Sequence, residues 1–229
     1  MAYILNIDTA TDICSVALTN NSTLLAYREN NDGKSHAKTL LPFVAEVLKE
    51  NQLASHQLEA VAISMGPGSY TGLRIGTSTA KGLCYALNIP LIAIPTLQII
   101  AAGVAHSYSP KHQIIPLLDA RRMEVYTCIY DTLLQPITDV SAIIVEENTF
   151  TPLAQNHQIV FCGNGVEKCT PILRQYEHAI LDSTPISARN MADLSAKKFS
   201  QKQFEDIAYF EPFYLKEYVA AKPHVKGLQ

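Results

Sequence analysis

The sequence predicts an α/β protein of two similar lobes, each a mixed sheet flanked by helices. Three observations predict it. Residues 3–27 read as strand, turn, strand, strand, which is an antiparallel meander. Strands and helices then alternate as far as the polar, Pro-containing stretch Ser107-Tyr108-Ser109-Pro110. Past that stretch the strand-rich pattern begins again, a coarse internal duplication that divides the chain into residues 1–106 and 107–229.

The elements follow in order. Tyr3 to Asp8 is a short apolar run, Cys14 to Leu18 alternates through Val16, and Thr23 to Tyr27 follows the turn signal Asn20-Asn21-Ser22. Ser35 stands where an N-cap belongs, and from His36 the pattern turns helical. Leu40, Leu41, Val44, Val47 and Leu48 recur at helical spacing, with Phe43 and Ala45 widening the stripe. Glu59 to Met65 is an apolar strand running into Gly66-Pro67-Gly68-Ser69-Tyr70-Thr71-Gly72, and a helix to about Ala86 follows. Leu91 to Ile94 is a buried strand, and a helix spans about Leu97 to His106. In the second half Ile114 to Leu118, Val125 to Tyr130, Val140 to Val145 and Ile159 to Cys162 read as strands, and about Ser187 to Ser200 as a helix. The tail from Pro212 to Gln229 reads as irregular.

Composition narrows the function classes. Hydrophobic residues are 48% of the 229, enough for a sizeable core. With 18 Lys and Arg against 21 Asp and Glu, the net charge of −3 gives no pull on phosphate backbones, which argues against tight nucleic-acid binding by this chain alone. The start has no basic region followed by an apolar run, and no stretch approaches a membrane span, so no signal peptide and no membrane insertion are expected. The five cysteines, Cys14, Cys84, Cys128, Cys162 and Cys169, form no C-x-x-C pair and read as reduced thiols of a cytoplasmic protein. The seven histidines include no i,i+4 pair and no Cys at ligand spacing, so no metal is expected. No G-x-S-x-G elbow occurs, and Lys197, Lys198 and Lys202 read as a solvated helix face.

The loop Gly66–Gly72 lies between a strand and a helix, where backbone N–H groups can hold an anion. It is neither a Walker A loop, since Leu73-Arg74 follow Gly72, nor a dinucleotide fingerprint, since Thr71 stands where the third Gly belongs. A tight turn that needs glycine for its backbone angles is the competing account, and the heavier one. Beyond the loop, Gly72, Gly76, Ala80 and Cys84 lie four apart on one ridge, with Gly82 elsewhere on the helix. Each glycine inside a helix costs about 1 kcal/mol relative to Ala. Close packing on this protein's own sheet or an intersubunit face would each offset it, and both readings stand. Asp8 ends the first strand in Asp8-Thr9-Ala10-Thr11-Asp12, a placement like the first phosphate loop of actin-like ATPases and sugar kinases, except that the glycine is missing; an Asp capping its turn is the alternative. Asp119-Ala120-Arg121-Arg122 occupies the matching turn of the second half, with two Arg where glycines would admit phosphates, and Gly163-Asn164-Gly165 is a thin echo of adenosine-binding glycines.

These pieces together resemble the TsaB (YeaZ) family. The matching stretches are Ile7-Asp8-Thr9-Ala10, Ser35-His36-Ala37 through Leu40-Leu41-Pro42, Gly66 through Gly76, and Asp119 through Tyr126, dense over residues 1–130 and thin afterwards. The resemblance implies an actin-like (ASKHA, RNase H-like) fold of two lobes. Members of that superfamily have a last helix that crosses back onto the first lobe; the sequence leaves this open. It also implies a place beside TsaD, the paralogue that transfers threonylcarbamoyl to a tRNA adenosine. TsaD carries a metal-binding H-x-E-G-H on one helix; this sequence lacks it, so the expected role is a non-catalytic subunit that scaffolds TsaD and a TsaE-type ATPase and meets tRNA only through the complex. The alternative is an ATP-dependent phosphotransferase of the sugar-kinase branch. No cofactor is expected beyond weak ATP or ADP binding, with Asp8, Thr9, Thr11, Asp119, Gly163 and Gly165 as remnant nucleotide-site candidates.

The expected partner surface is the helix pair at about 36–50 and 71–86, forming a helical bundle with the same pair of TsaD or, in its absence, of a second copy. Its candidates are His36, Leu40, Phe43, Val44, Gly72, Gly76, Ala80 and Cys84. For His36, in the first turn, a solvated side chain is the competing expectation.

Overall fold

The computed structural model describes residues 2–32 and 35–216. The part of the irregular tail at 217–229 therefore lies outside the described residues. The first sheet is built from β1 (Tyr3–Asp8), β2 (Cys14–Asn20), β3 (Thr23–Asn30), β4 (Ala60–Ser64) and β5 (Leu91–Ile94) in the order β3-β2-β1-β4-β5. The second contains β6 (His112–Asp119), β7 (Glu124–Thr127), β8 (Ser141–Ile144), β9 (Gln158–Cys162) and β10 (Ile180–Asp182) in the order β10-β9-β6-β7-β8. The duplication read from the sequence is thus explicit. Each sheet has a central strand, β1 or β6, that pairs antiparallel with the next strand and parallel with a later one.

Helices α1 (His36–Glu50) and α2 (Tyr70–Leu87) cover one face of the first sheet. On α1 the buried stripe is Leu40, Val44, Val47 and Leu48, spaced 4, 3 and 1 apart as one helix face requires. It meets Leu5 and Ile7 of β1 and Val61 and Ile63 of β4, the outward alternates of their strands. Ser35 takes the N-cap position without capping: its side chain makes no bond to the first turn, and its carbonyl accepts from Lys38 and Thr39 instead.

The opposite face of the first sheet packs on α3 (Thr96–Ala105) and on the segment from a 3₁₀ turn at Ala188–Met191 into α6 (Ala192–Ser200). The last helix therefore crosses back onto the first sheet. It is tied there at its entry, where Ala188 N–H donates to Ser15 Oγ at 2.8 Å and Ser187 Oγ donates to Glu29 Oε2 at 2.8 Å. Helix α3 is wedged between the sheets: Leu97, Ile100 and Val104 share one cluster with Ile92 and Ile94 of the first sheet and Ile114 and Val160 of the second. The outer face of the second sheet is covered by α4 (Thr151–Ala154) and α5 (Val166–Leu173) over Leu117, Val125 and Phe161.

Residues 204–213, of which the sequence reading takes in only the start of the irregular tail at Pro212, pack onto the first lobe. Glu205 N–H donates to Leu91 O at 2.9 Å and closes the edge of β5, and Phe210 is buried under α2.

Candidate functional site

β1 and β6 end at the same place in their sheets, and the turns that follow them face each other across a cleft of 560 Å³. Thr11, Ser69 and Thr71 line it from the first lobe, Asp119 and Arg121 from the second, and Tyr214 from the tail. Of the remnant nucleotide-site candidates, Thr11 and Asp119 reach the cleft. Asp8 and Thr9 are fully buried beneath it.

Among the described residues Asp8 forms no ion pair. Its Oδ1 accepts from Ala10 N–H at 3.3 Å, the turn-capping bond expected of an Asx turn, while Oδ2 is buried without a partner. Burial raises its pKa from 3.8 to about 6, partly offset by hydrogen bonds from Ser64 and the Ala10 backbone and by the charge of His36.

The Gly-rich loop spends three of its backbone donors inside the protein. Gly66 N–H goes to Thr96 Oγ1 at 3.1 Å, Ser69 N–H to Ala10 O at 2.7 Å and Gly72 N–H to Ser69 Oγ at 3.2 Å. Gly68 has no room for a side chain, since a Cβ would run into Ala10 O. Gly66 has φ +112°, a conformation that favours glycine, and its peptide to Pro67 is cis. Two loops that would flank a phosphate are packed on each other instead.

The matching turn of the second lobe is likewise self-satisfied. Asp119 accepts from Arg121 N–H at 2.7 Å and pairs with Lys168, whose ammonium also reaches Glu124 O at 2.6 Å. Arg121 and Arg122 hold φ of 73° and 50°, where most non-glycine residues are strained. Gly163 and Gly165 do not line the cleft. A Cβ on Gly165 would stand 2.7 Å from Leu117 O, so this glycine lets the start of α5 lie against β6; only Asn164 of that trio reaches the cleft, holding Asp119 N–H at 3.0 Å.

The partner-surface candidates need correction. Gly72, Gly76, Ala80 and Cys84 are buried against this chain's own sheet. Thr9 sits in a notch that the two glycines cut in α2: its Oγ1 donates to Gly72 O at 2.8 Å, and a Cβ on Gly72 or Gly76 would collide with Thr9 O or Thr9 Oγ1. Leu40 and Val44 are core residues of the same layer. His36 is neither solvated nor at a surface. It is buried and donates from Nε2 to Thr11 O at 2.9 Å, pinning the start of α1 to the cleft loop. Phe43 is half-buried on the edge of the core.

The outward side of the pair is different. Ala37, Leu41 and Ala45 of α1 and Ser78, Gly82 and Tyr85 of α2 face out, with Leu41 55% and Tyr85 83% exposed. Gly82, which the ridge argument passed over, is the informative glycine, for a Cβ there would meet nothing within 4 Å. All five cysteines are buried and unpaired with one another, and burial pushes the Cys84 thiol up to about 11, so it offers no nucleophile. Among the described residues no helix is long and apolar enough to cross a membrane.

Two mixed sheets of the same order, sharing a central helix and facing across a cleft at the ends of their central strands, define an actin-like protein of two lobes. A Clostridium difficile activator of 2-hydroxyisocaproyl-CoA dehydratase, solved with bound ADPNP, shares the fold at a TM-score of 0.51 and 12% identity, over 89% of this chain and 98% of that one. A family profile described as "TsaD: tRNA N6-adenosine threonylcarbamoyltransferase" matches residues 28–228. The tRNA threonylcarbamoyladenosine biosynthesis protein TsaB of Escherichia coli (strain K12) is 30% identical over 225 residues, 96% of each chain. The solved YeaZ of Pseudomonas aeruginosa superposes with a TM-score of 0.78 at 25% identity, over 94% of this chain and 100% of that one. The chain belongs to the TsaB (YeaZ) family of tRNA threonylcarbamoyladenosine biosynthesis proteins.

Proposed function

We propose that this chain serves threonylcarbamoyladenosine formation in tRNA as a non-catalytic partner subunit. It docks a TsaD-type catalytic subunit, a TsaE-type ATPase joins the pair, and tRNA is met only through the complex. The docking face is the outward side of α1 and α2, centred on Leu41, Gly82 and Tyr85, in place of the buried ridge. The observation that carries this reading is Gly82. A glycine in the middle of an 18-residue helix costs about 1 kcal/mol relative to Ala, and no described residue comes within 4 Å of the space it leaves. A helix from another subunit approaching over a residue without a side chain would use it. A paralogue with the same lobes and a second copy of this chain would both fit, so a homodimer is expected when the chain is alone.

The test is pull-down of the TsaD-type subunit from the same organism by Gly82→Leu and Leu41→Glu, with circular dichroism as the folding control. Both side chains project into open solvent, so the lobes should stay folded while pairing is lost. Normal capture by both variants would move the interface elsewhere. Nucleotide binding in the cleft is expected to be weak, because three of the Gly-rich loop's donors are already committed and Arg121 and Arg122 stand where glycines would admit phosphates. ATP turnover by the purified chain alone would favour the phosphotransferase alternative.

A further inference from the structure

The chain's own C-terminal segment forms part of the cleft wall: Phe213, Tyr214, Leu215 and Lys216 all line it. The segment is fixed firmly on the first lobe. Lys81 of α2 donates from Nζ to Phe210 O at 3.0 Å, and Phe213 N–H donates to Met65 O at 2.7 Å, beside the end of β4. Gly66 makes room for this, since a Cβ there would collide with Phe213 O. The Tyr214 ring then lies 5.0 Å from the ring of Tyr70, the first residue of α2. Two residues on, Lys216 forms an ion pair with Glu124, the first residue of β7 in the second lobe. Within four residues the segment touches both lobes, the first through its backbone and the second through the Lys216 side chain.

The two ends differ in kind. The first-lobe end is held by backbone hydrogen bonds next to a buried Phe210. Among the described residues the second-lobe end is held by one ion pair, whose side chains are 46% and 23% exposed. A tie of that exposure shifts an equilibrium by a factor of roughly five at most. A segment fixed at one end and lightly latched at the other is a strap with a hinge near Phe213.

We propose that Phe213–Lys216 is a cis-acting strap that closes the inter-lobe cleft, latched by Lys216 on Glu124, and that an anionic ligand entering the cleft competes for that latch. The ligand class rests on the reading of the cleft as a remnant nucleotide site; the strap and its latch do not. Opening the latch exposes the Arg121 side of the cleft and frees the Lys216 ammonium for a phosphate.

The sequence has no Trp, so Tyr214→Trp places a single indole on the strap of the full chain. Its emission maximum and acrylamide quenching are read in three backgrounds: otherwise unchanged, with Lys216→Glu, and with Lys216→Glu plus Glu124→Lys. Both altered side chains are at the surface, and thermal melts check folding. Lys216→Glu should red-shift the indole and raise its quenching several-fold, and the charge exchange should return both to the starting values. Quenching that ignores Lys216→Glu, or is not restored by the exchange, overturns the strap. Mg-ATP is then titrated. It should bind a fourth background, Glu124→Gln, whose latch is open while the Lys216 ammonium is kept, about five-fold more tightly than the latched protein and raise indole quenching in the latter. If the latch answers to the charge exchange while ATP binds no background, the strap stands and the nucleotide reading falls.

Discussion

Replacing Asp8 by Asn should stabilise the protein at pH 8 and lose that advantage at pH 4. The carboxyl is fully buried, Oδ2 has no partner, and burial raises its pKa from 3.8 to about 6. The folded protein therefore holds this proton more tightly than the unfolded chain. The stability that the protonated group contributes is fully present below pH 3.8 and is lost as pH rises through about 6. The rise from 3.8 to about 6 corresponds to ~3 kcal/mol between the two limits. Between pH 4 and pH 8 about 2–3 kcal/mol of that should appear, since the unfolded acid is still half protonated at the lower pH. Asn keeps the oxygen that caps Ala10 N–H and removes the charge, and its amide can turn to Ser64. The absolute gain at pH 8 is smaller, about 1–2 kcal/mol, because a second amide hydrogen must also be placed. The assay is urea unfolding of both proteins at half-unit steps of pH, with the difference in unfolding free energy plotted against pH. A difference that is constant from pH 4 to pH 8, or one in which Asn is worse at pH 8 than at pH 4, would show that the ionised carboxylate is not strained in its site and would refute the reasoning.

Two substitutions of the same kind in one helix should have opposite signs. Gly76→Ala should destabilise by about 1–3 kcal/mol, because the new methyl falls on Thr9 Oγ1 and 3.0 Å from Ile63 Cδ1, whereas Gly82→Ala should stabilise the isolated chain by up to about 1 kcal/mol; urea midpoints measure both. His36→Ala should cost about 1–3 kcal/mol by leaving the Thr11 carbonyl without its buried donor, and amide exchange should rise first over residues 9–13 and the first turn of α1. Tyr176→Phe should cost a similar amount, since the hydroxyl both donates to Glu147 O at 2.8 Å and accepts from the buried Phe150 N–H at 3.1 Å; thermal unfolding reads it.

The elements that could be read from the sequence were those whose signal is local. The α1 stripe, the apolar runs of β1 and β4 and the meander each carry their periodicity within a few residues, and the buried positions match them except at Leu41, which the stripe included and which faces out. The short pieces β10 and α4, three and four residues long, have no period to detect. The direction in which the α2 ridge faces was beyond reach for a different reason. Small residues four apart say that something comes close, and only the fold says that it is Thr9, 63 positions before Gly72. His36 was misjudged in the same way: a polar residue opening a helix usually meets water, and its partner here is a carbonyl 25 residues earlier. Gly82 was visible as a glycine but could be singled out only once the space around it was known to be empty.

The duplicated lobes give an internal comparison of what became of one site. β1 and β6 are equivalent central strands, and each ends on an aspartate. Asp119 is 45% exposed and paired with Lys168, so its charge is settled by water and a neighbour. Asp8 is buried and forms no ion pair among the described residues, and burial raises its pKa. In both turns the aspartate accepts from the N–H two residues on, Ala10 in one and Arg121 in the other. What an actin-like site needs beyond such carboxylates is backbone donors left free for phosphate. Here Ser69 N–H is given to Ala10, Asp119 N–H to Asn164 and Gly165 N–H to Leu117, each inside 3.1 Å. In both turns some of these donors are turned inward, an arrangement that leaves the acids and most glycines standing in the sequence. That is why motif inspection finds the outline of a nucleotide site where the hydrogen bonds describe a folded-in one.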